Sequence, residues 1–402
     1  MRHIVVIGAG QAGASCVAKL RKDGFDGKIT LIGAEAVPPY QRPPLSKAYL
    51  MGDMALERLY LRPLSYYAEQ GIEMRLGTRV DAIDTAHKQI AVAGGMLDYD
   101  DLVLTTGSVP HRLPAAIGGA LDGVHVVRNL AGVDAMAPRF VKGARVLIVG
   151  GGYIGLEAAS VAAKLGLEVT LVEMAPRILQ RVAAPETSNF FRALHARHGV
   201  RILEGVGLEQ LTGEGAVSGA VLTDGTKFDV DFVIAGVGIA PDTKLAEAAG
   251  IVIDNGIAVD RFGQTGVPHV WAAGDCTSFP YRGRRIRLES VPNAIDQAEV
   301  VAENLIGGQN EYVATPWFWS DQYDVKLQIA GLNTGYDRVV TRRGDGGSVS
   351  FWYYGGDTLL AVDAANDPRG YMVGKRLIES GKSPSPEVVS DPATDLKALL
   401  RG

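Results

Sequence analysis

Along the first 35 residues the hydrophobic positions run together rather than alternate. Ile4–Ile7 is an unbroken β-branched run that stops at Gly8, the pattern of a strand buried on both faces. Small and apolar positions at helical spacing follow in "QAGASCVAKL", and a second apolar run, "KITLIGAE", ends near Glu35. The order strand, glycines, helix, strand recurs at 146–173 in "VLIVGGGYIGLEAASVAAKLGLEVTLVE". Three further apolar runs end in turn residues: "DYDDLVLTTGSVP" (98–110), "DFVIAGVGIAPDT" (231–243) and "VPHVWAAGDCTSF" (267–279). The first two read as crossings between domains, closed by Pro110 and Pro241. The third ends at Gly274-Asp275, which puts a carboxylate at the C-terminal edge of a sheet, where α/β folds bind ligands; a helix cap or turn is the lesser reading. From about 313 the period changes. "SVSFWYYGGDTLLAVDAAN" alternates around a Gly-Gly turn, and a helical pattern returns near 368–380, predicting a small α+β domain.

The two repeated units carry matching glycines, Gly8, Gly10 and Gly13 in the first and Gly150, Gly152 and Gly155 in the second. Each unit also places an acid, Glu35 or Glu173, 23–27 residues after its first glycine. The first glycine permits a tight turn, the second removes a Cβ where a pyrophosphate must approach, and the third lets helix and strand pack closely. The helix N-terminus then offers free N–H groups to the phosphates. Two such sites on one chain mean most economically one flavin dinucleotide and one nicotinamide dinucleotide. The expected fold is α/β, with two Rossmann-like dinucleotide-binding domains followed by the α+β domain.

Composition narrows the partners. Net charge is −5, which argues against a chain-wide basic surface for nucleic acid. Two cysteines, Cys16 and Cys276, lie 260 positions apart and form neither a metal-ligand cluster nor a disulfide framework. The short apolar start reads as a buried strand rather than a signal peptide, and Glu157 and Lys164 interrupt the richest apolar stretch. A cytoplasmic protein with no membrane association and no bound metal is expected.

Four stretches together, "YQRPPLSKAYL" (40–50), "GGGYIGLEAA" (150–159), "ESVPNAIDQA" (289–298) and "WFWSDQYDVKLQIAG" (317–331), resemble the oxygenase-coupled NADH:ferredoxin reductases. That family lies within the glutathione-reductase-like flavoprotein superfamily, and the resemblance covers essentially the whole chain. It implies an FAD domain formed by 1–107 and 240–312, an NADH domain at 108–239, and a C-terminal interface domain at 313–402. It also implies electron transfer from NADH through FAD, singly, to a 2Fe–2S ferredoxin that supplies a haem-thiolate monooxygenase or a ring-hydroxylating dioxygenase. A monomer or weak homodimer is expected.

Hydride transfer needs nicotinamide held over flavin, so positioning and electrostatics carry most of the catalysis. By resemblance Lys47 lies near the flavin N5, on a loop stiffened by Pro43-Pro44, and pairs with Glu157, which holds the nicotinamide carboxamide. By position alone Lys47 reads as an exposed lysine, and Glu157 as an acid in the first turn of its helix, favoured by the dipole. Tyr153 resembles the aromatic that covers the flavin and moves aside for nicotinamide; it reads otherwise as a packed tyrosine. For FAD the assignments are Gly8, Gly10, Ala12 and Gly13 at the pyrophosphate, with Arg42 there or at the surface. Asp275 is assigned to the ribityl chain, and Val291 and the helix after "SVPN" to the pyrimidine end of the ring. Val80, Arg128 and Trp319 match further flavin contacts. Family members often carry an acid directly after the glycine of the second strand; here Ala34 stands there, and Glu35 is assigned to the adenosine ribose instead. For NADH the assignments are Gly150, Gly152, Tyr153, Ile154, Gly155, Glu157 and Glu173. The Glu173 carboxylate repels a 2′-phosphate, favouring NADH over NADPH, although Arg177 and Arg181 stand close enough in sequence to receive one.

"YRGRRIRLES" supplies Arg282, Arg284, Arg285 and Arg287, either a docking patch for an acidic ferredoxin, with Arg284 and Arg285 the partner-binding residues, or a solvated hairpin. In "PWFWSDQY" Trp317 and Phe318 are expected to seat the C-terminal core, and Trp319 to face flavin and partner. The alternatives are an NADH oxidase, a slowly turning-over signalling or sensor flavoprotein that resembles apoptosis-inducing factor, and a disulfide or peroxide reductase. The last needs a reactive cysteine, which "RPPLSK" lacks; Cys16 and Cys276 read as buried small residues.

Overall fold

The computed structural model describes residues 1–401 and divides into two compact units, 1–42 with 55–109 and 239–316, and 43–54 with 110–238 and the described residues from 317 onward. Residues 43–54 thus group apart from the sequence on either side of them. The C-terminal segment groups with the central one.

In the first unit the run Ile4–Ile7 becomes the strand His3–Ile7 at the centre of a five-stranded parallel sheet. Val270–Ala272 and Asp101–Leu104 lie on one side of it, and Lys28–Ile32 and Ile72–Arg75 on the other. The absence of alternation has a direct cause. Val5 and Ile7 feed one hydrophobic core and Ile4 and Val6 another, so both faces of the strand are covered. Helix Gln11–Lys22 packs against helix Val291–Leu305 on the second of these faces. The strand order reverses beside His3–Ile7, and the crevice this leaves at the strand ends is where Gly8 and Thr105 stand.

The second unit repeats the plan. Its parallel sheet runs Arg201–Glu204, Glu168–Glu173, Arg145–Val149, Phe232–Ala235, Val124–His125, with helix Tyr153–Lys164 following the central strand. The C-terminal segment adds a five-stranded antiparallel sheet, Trp317–Gln322, Val325–Gly331, Thr358–Ala365, Val349–Gly355, Arg338–Arg343. Helix Pro368–Glu379 covers one face, capped by Asp367, which accepts from Gly370 N at 2.8 Å. Among the described residues no helix is long and apolar enough to cross a membrane.

Strand Trp317–Gln322 divides its residues by parity, as a strand must. Trp317 and Trp319 pair with ring centroids 5.6 Å apart, and Trp317 packs against the C-terminal core. Phe318 departs from the expectation. It lies against Tyr153 of the central segment, centroids 5.2 Å apart, because alternation turns it away from the core that Trp317 joins.

Candidate functional site

Each glycine turn can be tested for what its glycines are for. In the first unit Gly8 has φ +117°, and a Cβ there would stand 2.1 Å from Thr105 O; a Cβ on Gly13 would stand 2.0 Å from Gly8 O. In the second unit Gly150 has φ +108° and its Cβ would meet Gly236 O at 2.3 Å, while that of Gly155 would meet Gly150 O at 2.1 Å. These four glycines are required by the fold itself. The middle ones are not. Gly10 and Gly152 have extended backbones that other residues adopt, and nothing lies within 4 Å of where their Cβ atoms would be. Both cap helices without a side-chain hydrogen bond, and neither first turn holds an acid. The chain therefore leaves an open cradle lined by N–H donors at each turn, which fits a dinucleotide pyrophosphate in both units.

Around the first cradle, a Cβ on Gly274 would stand 3.0 Å from Ala12 Cβ and 3.8 Å from Ala294 Cβ. The Gly274-Asp275 turn thus lies against the start of one helix and close to the start of the other. Ser108 Oγ donates to Asp275 Oδ2 at 3.2 Å. Helix Val291–Leu305 begins at Val291 itself, one turn earlier than the sequence suggested, because Ser290 Oγ accepts from Asn293 N at 3.2 Å and proline is tolerated in a first turn. Glu35 takes Tyr40 OH on Oε2 and Arg42 Nη2 on Oε1, each at 2.6 Å, so Arg42 is committed to Glu35. Val80 lies on strand Val80–Asp84 of a small antiparallel sheet.

Around the second cradle, Glu173 Oε2 accepts from Gly151 N at 2.7 Å and Oε1 from Ala175 N at 2.8 Å, fixing the carboxylate beside the turn. Arg177 Nη1 donates to Ser188 Oγ at 2.6 Å, which draws it into its own loop. Ile154 is exposed in the first helical turn, and Arg128 is half-buried just before helix Leu130–Met136.

Glu157 is an acid buried within the second unit. Its helix begins at Tyr153, so it lies beyond the first turn, and the dipole is not its main partner. Lys47 Nζ reaches Oε2 at 2.8 Å from a turn that Tyr49 N–H closes onto Pro44 O. Ser320 Oγ donates to Oε1 at 2.8 Å, and Ser46 Oγ stands 3.5 Å from Oε2. Burial pushes the carboxyl above its ordinary value, and Lys47 and Ser320 pull it back. Tyr153, four residues earlier, has a buried hydroxyl with no partner among the described residues, and desolvation raises it well above an ordinary phenol. Ser46 and Ser320 were not foreseen; the polar residue after Trp319 was the available signal.

The proposed docking patch is smaller than its arginine count. Arg285 donates to the carbonyls of Ser278 and Val259 and lies 3.5 Å from Asp254. Arg287 pairs with Glu289, and its Nε is buried with no partner among the described residues. Arg284 is exposed on strand Arg284–Ile286. Both cysteines are buried, and desolvation lifts Cys16 to about 12 and raises Cys276, the reverse of what an active thiolate requires.

Comparison with known proteins agrees with this geometry. Residues 2–298 match the pyridine nucleotide-disulphide oxidoreductase family, and residues 317–400 match the reductase C-terminal family. The chain is 40% identical to putidaredoxin reductase of Pseudomonas putida, over 99% of this chain and 96% of that protein. It is 43% identical to a ferredoxin–NAD(P)(+) reductase of a Sphingomonas species, over 99% and 97%. Among solved structures it superposes on a covalent putidaredoxin reductase–putidaredoxin complex with a TM-score of 0.96 at 39% identity, covering 100% of this chain and 98% of that one. A ferredoxin reductase from Rhodopseudomonas palustris gives 0.95 at 38% identity, covering 99% of each chain.

Proposed function

The chain belongs to the ferredoxin reductase family of the pyridine nucleotide-disulphide oxidoreductases, FAD-dependent enzymes that use NAD(P)H, and on that premise we propose that it oxidises NADH and passes the electrons singly to a 2Fe–2S ferredoxin. The ferredoxin in turn supplies a haem-thiolate monooxygenase or a ring-hydroxylating dioxygenase. One observation carries the reading. Two open dinucleotide cradles occur on one chain, and neither of its two cysteines is suited to redox work. Electrons taken from NADH then leave through the flavin to an external carrier rather than through a thiol pair.

FAD, when bound, accepts two electrons as hydride and can release them one at a time. In this reading Gly8, Gly10, Ala12 and Gly13 hold its pyrophosphate through the free N–H groups of helix Gln11–Lys22. Asp275 takes the ribityl hydroxyls, and the Val291 helix start takes the pyrimidine end. Glu35, held by Tyr40 and Arg42, takes the adenosine ribose, which makes Arg42 a support for that acid. Val80 is a further flavin contact in this reading, and Arg128, Lys47 and Trp319 keep the flavin assignment that the family resemblance gives them.

NADH lies over Gly150, Gly152, Ile154 and Gly155. Glu173 accepts from the adenosine ribose hydroxyls and disfavours a 2′-phosphate, while Arg177 is occupied with Ser188. The ionised Glu157 carboxylate accepts from the nicotinamide amide, Lys47 keeps it charged, and Tyr153 yields the nicotinamide position by moving its ring. Trp319 and Arg284 address the ferredoxin.

The test is ferredoxin-dependent reduction of cytochrome c by NADH. Reduction that rises with added 2Fe–2S ferredoxin supports the proposal. Flavin reduction that no ferredoxin accelerates overturns it in favour of an oxidase or sensor.

A further inference from the structure

The even-numbered face of strand Trp317–Gln322 does more than touch Tyr153. Ser320, Gln322 and His195 are fully buried and join Glu157 in one connected series. Ser320 Oγ meets Glu157 Oε1 at 2.8 Å, and Gln322 Nε2 meets Ser320 Oγ at 3.2 Å. Gln322 Oε1 meets His195 Nε2 at 2.8 Å, and Tyr323 OH meets His195 Nδ1 at 3.1 Å.

Donor and acceptor arithmetic sets the direction of every link. An ionised carboxylate only accepts, so Ser320 spends its single proton on Glu157 and must itself accept from Gln322. That places the amide nitrogen toward Ser320 and the amide oxygen toward His195. His195 then carries its proton on Nε2, its Nδ1 accepts, and Tyr323 donates. Three buried hydrogen bonds and a fourth, part-buried one from Tyr323 therefore point the same way, each with its positive end toward Glu157. His198 stacks on Tyr323 at 3.7 Å and closes the outer end.

We infer that Gln322 and His195 are positioning residues for Glu157, fixing its Oε1 and favouring its charged form so that the carboxylate stands ready, beside Lys47, for nicotinamide. The inference rests on the reading of Glu157 and Lys47 given above. Aligned hydrogen bonds in a water-poor interior polarise one another, and a bond to the charged form of an acid favours that form. The amide in the middle is a poor proton carrier, so the series acts as an oriented dipole rather than as a proton path. His195 suits the task because burial depresses it to about 4, keeping the ring neutral and the direction of the series fixed at working pH. The charged and titratable groups around Glu157 are Lys47, which opposes protonation, and Asp321, which promotes it. Those around His195 are Tyr323 and His198.

The test uses the FAD-loaded protein. The carboxyl stretching band of protonated Glu157 is identified by its loss in Glu157→Gln and titrated without NADH. In Gln322→Leu and His195→Leu its midpoint should rise by up to about one pH unit, a tenfold change, because Ser320 keeps its bond to the carboxylate but loses the aligned bonds that polarise it. His195→Gln, which keeps an N–H donor and an acceptor, should stay near wild type. The acid limb of NADH-driven flavin reduction should move with the band. If either leucine variant fails to bind FAD, Tyr323→Phe removes only the outermost donor and should give a smaller rise. A midpoint unmoved in the variants that bind FAD overturns the inference. The outcomes for the underlying reading are separate: it fails if Glu157→Gln reduces flavin as fast as wild type, whatever the band does.

Discussion

Removing the partner of Glu157 gives the sharpest stability prediction. Lys47→Met deletes an ammonium 2.8 Å from a carboxylate whose side chain is 8% exposed. At that distance the pair is worth about 6 kcal/mol at an effective dielectric of about 20, and breaking one side of a buried pair typically costs about 3–5 kcal/mol. The cost must depend on pH, with a definite sign. Glu157 is already raised in the folded protein, by burial against the pull of Lys47. Between its unfolded and folded values the folded state binds more protons, so stability falls as pH rises through that window. Without Lys47 the folded value climbs further and the window widens upward. Denaturant unfolding of Lys47→Met should therefore show a loss of about 3 kcal/mol near pH 8 and under about 1 kcal/mol near pH 5. Adding Glu157→Gln should recover most of the loss at the higher pH, with a coupling of at least about 2 kcal/mol. Equal losses at both pH values, or additive effects in the double variant, would refute the claim that Lys47 carries the charge of Glu157.

Four further outcomes follow from the same geometry. Glu173→Gln should raise kcat/KM for NADPH relative to NADH by at least about tenfold, below a ceiling of roughly 4 kcal/mol for one charge pair at about 4 Å; an unchanged ratio contradicts the ribose assignment. Arg284→Glu should raise the ferredoxin KM and flatten its salt dependence while leaving stability within about 0.5 kcal/mol. Arg285→Glu should cost about 1–3 kcal/mol of stability, because it strands the carbonyls of Ser278 and Val259, so unfolding measurements separate the two arginines. Trp319→Ala should slow acceptor reduction or loosen FAD more than it slows flavin reduction by NADH; equal slowing of both half-reactions removes Trp319 from the acceptor side.

What could be read from the sequence follows from how local each cause is. The glycine turns were legible because a clash within one turn forces Gly8, Gly13, Gly150 and Gly155, and an open cradle accounts for Gly10 and Gly152. The buried strands were legible because their residues serve two cores and so cannot alternate. The surroundings of Glu157 were not. Ser320 lies 163 positions from Glu157 and Gln322 lies 127 from His195, and no spacing rule joins residues so far apart. The alternation of "WFWSDQ" showed two faces without showing what each would meet, which is why Phe318 was given to the wrong side. The arginine cluster was only half legible for a related reason. Charge is visible in a sequence, but the carbonyls that occupy Arg285 appear only once the hairpin has formed.

The central claim is that this chain takes electrons from NADH and hands them on to an iron–sulfur protein. Anaerobic titration of the FAD-loaded protein with NADH, followed by rapid mixing with oxidised 2Fe–2S ferredoxin, tests it directly. The account predicts that stoichiometric NADH bleaches the flavin absorbance, and that ferredoxin restores it while becoming reduced. Bleaching by NADH that persists after ferredoxin is added, and that only oxygen reverses, would contradict it.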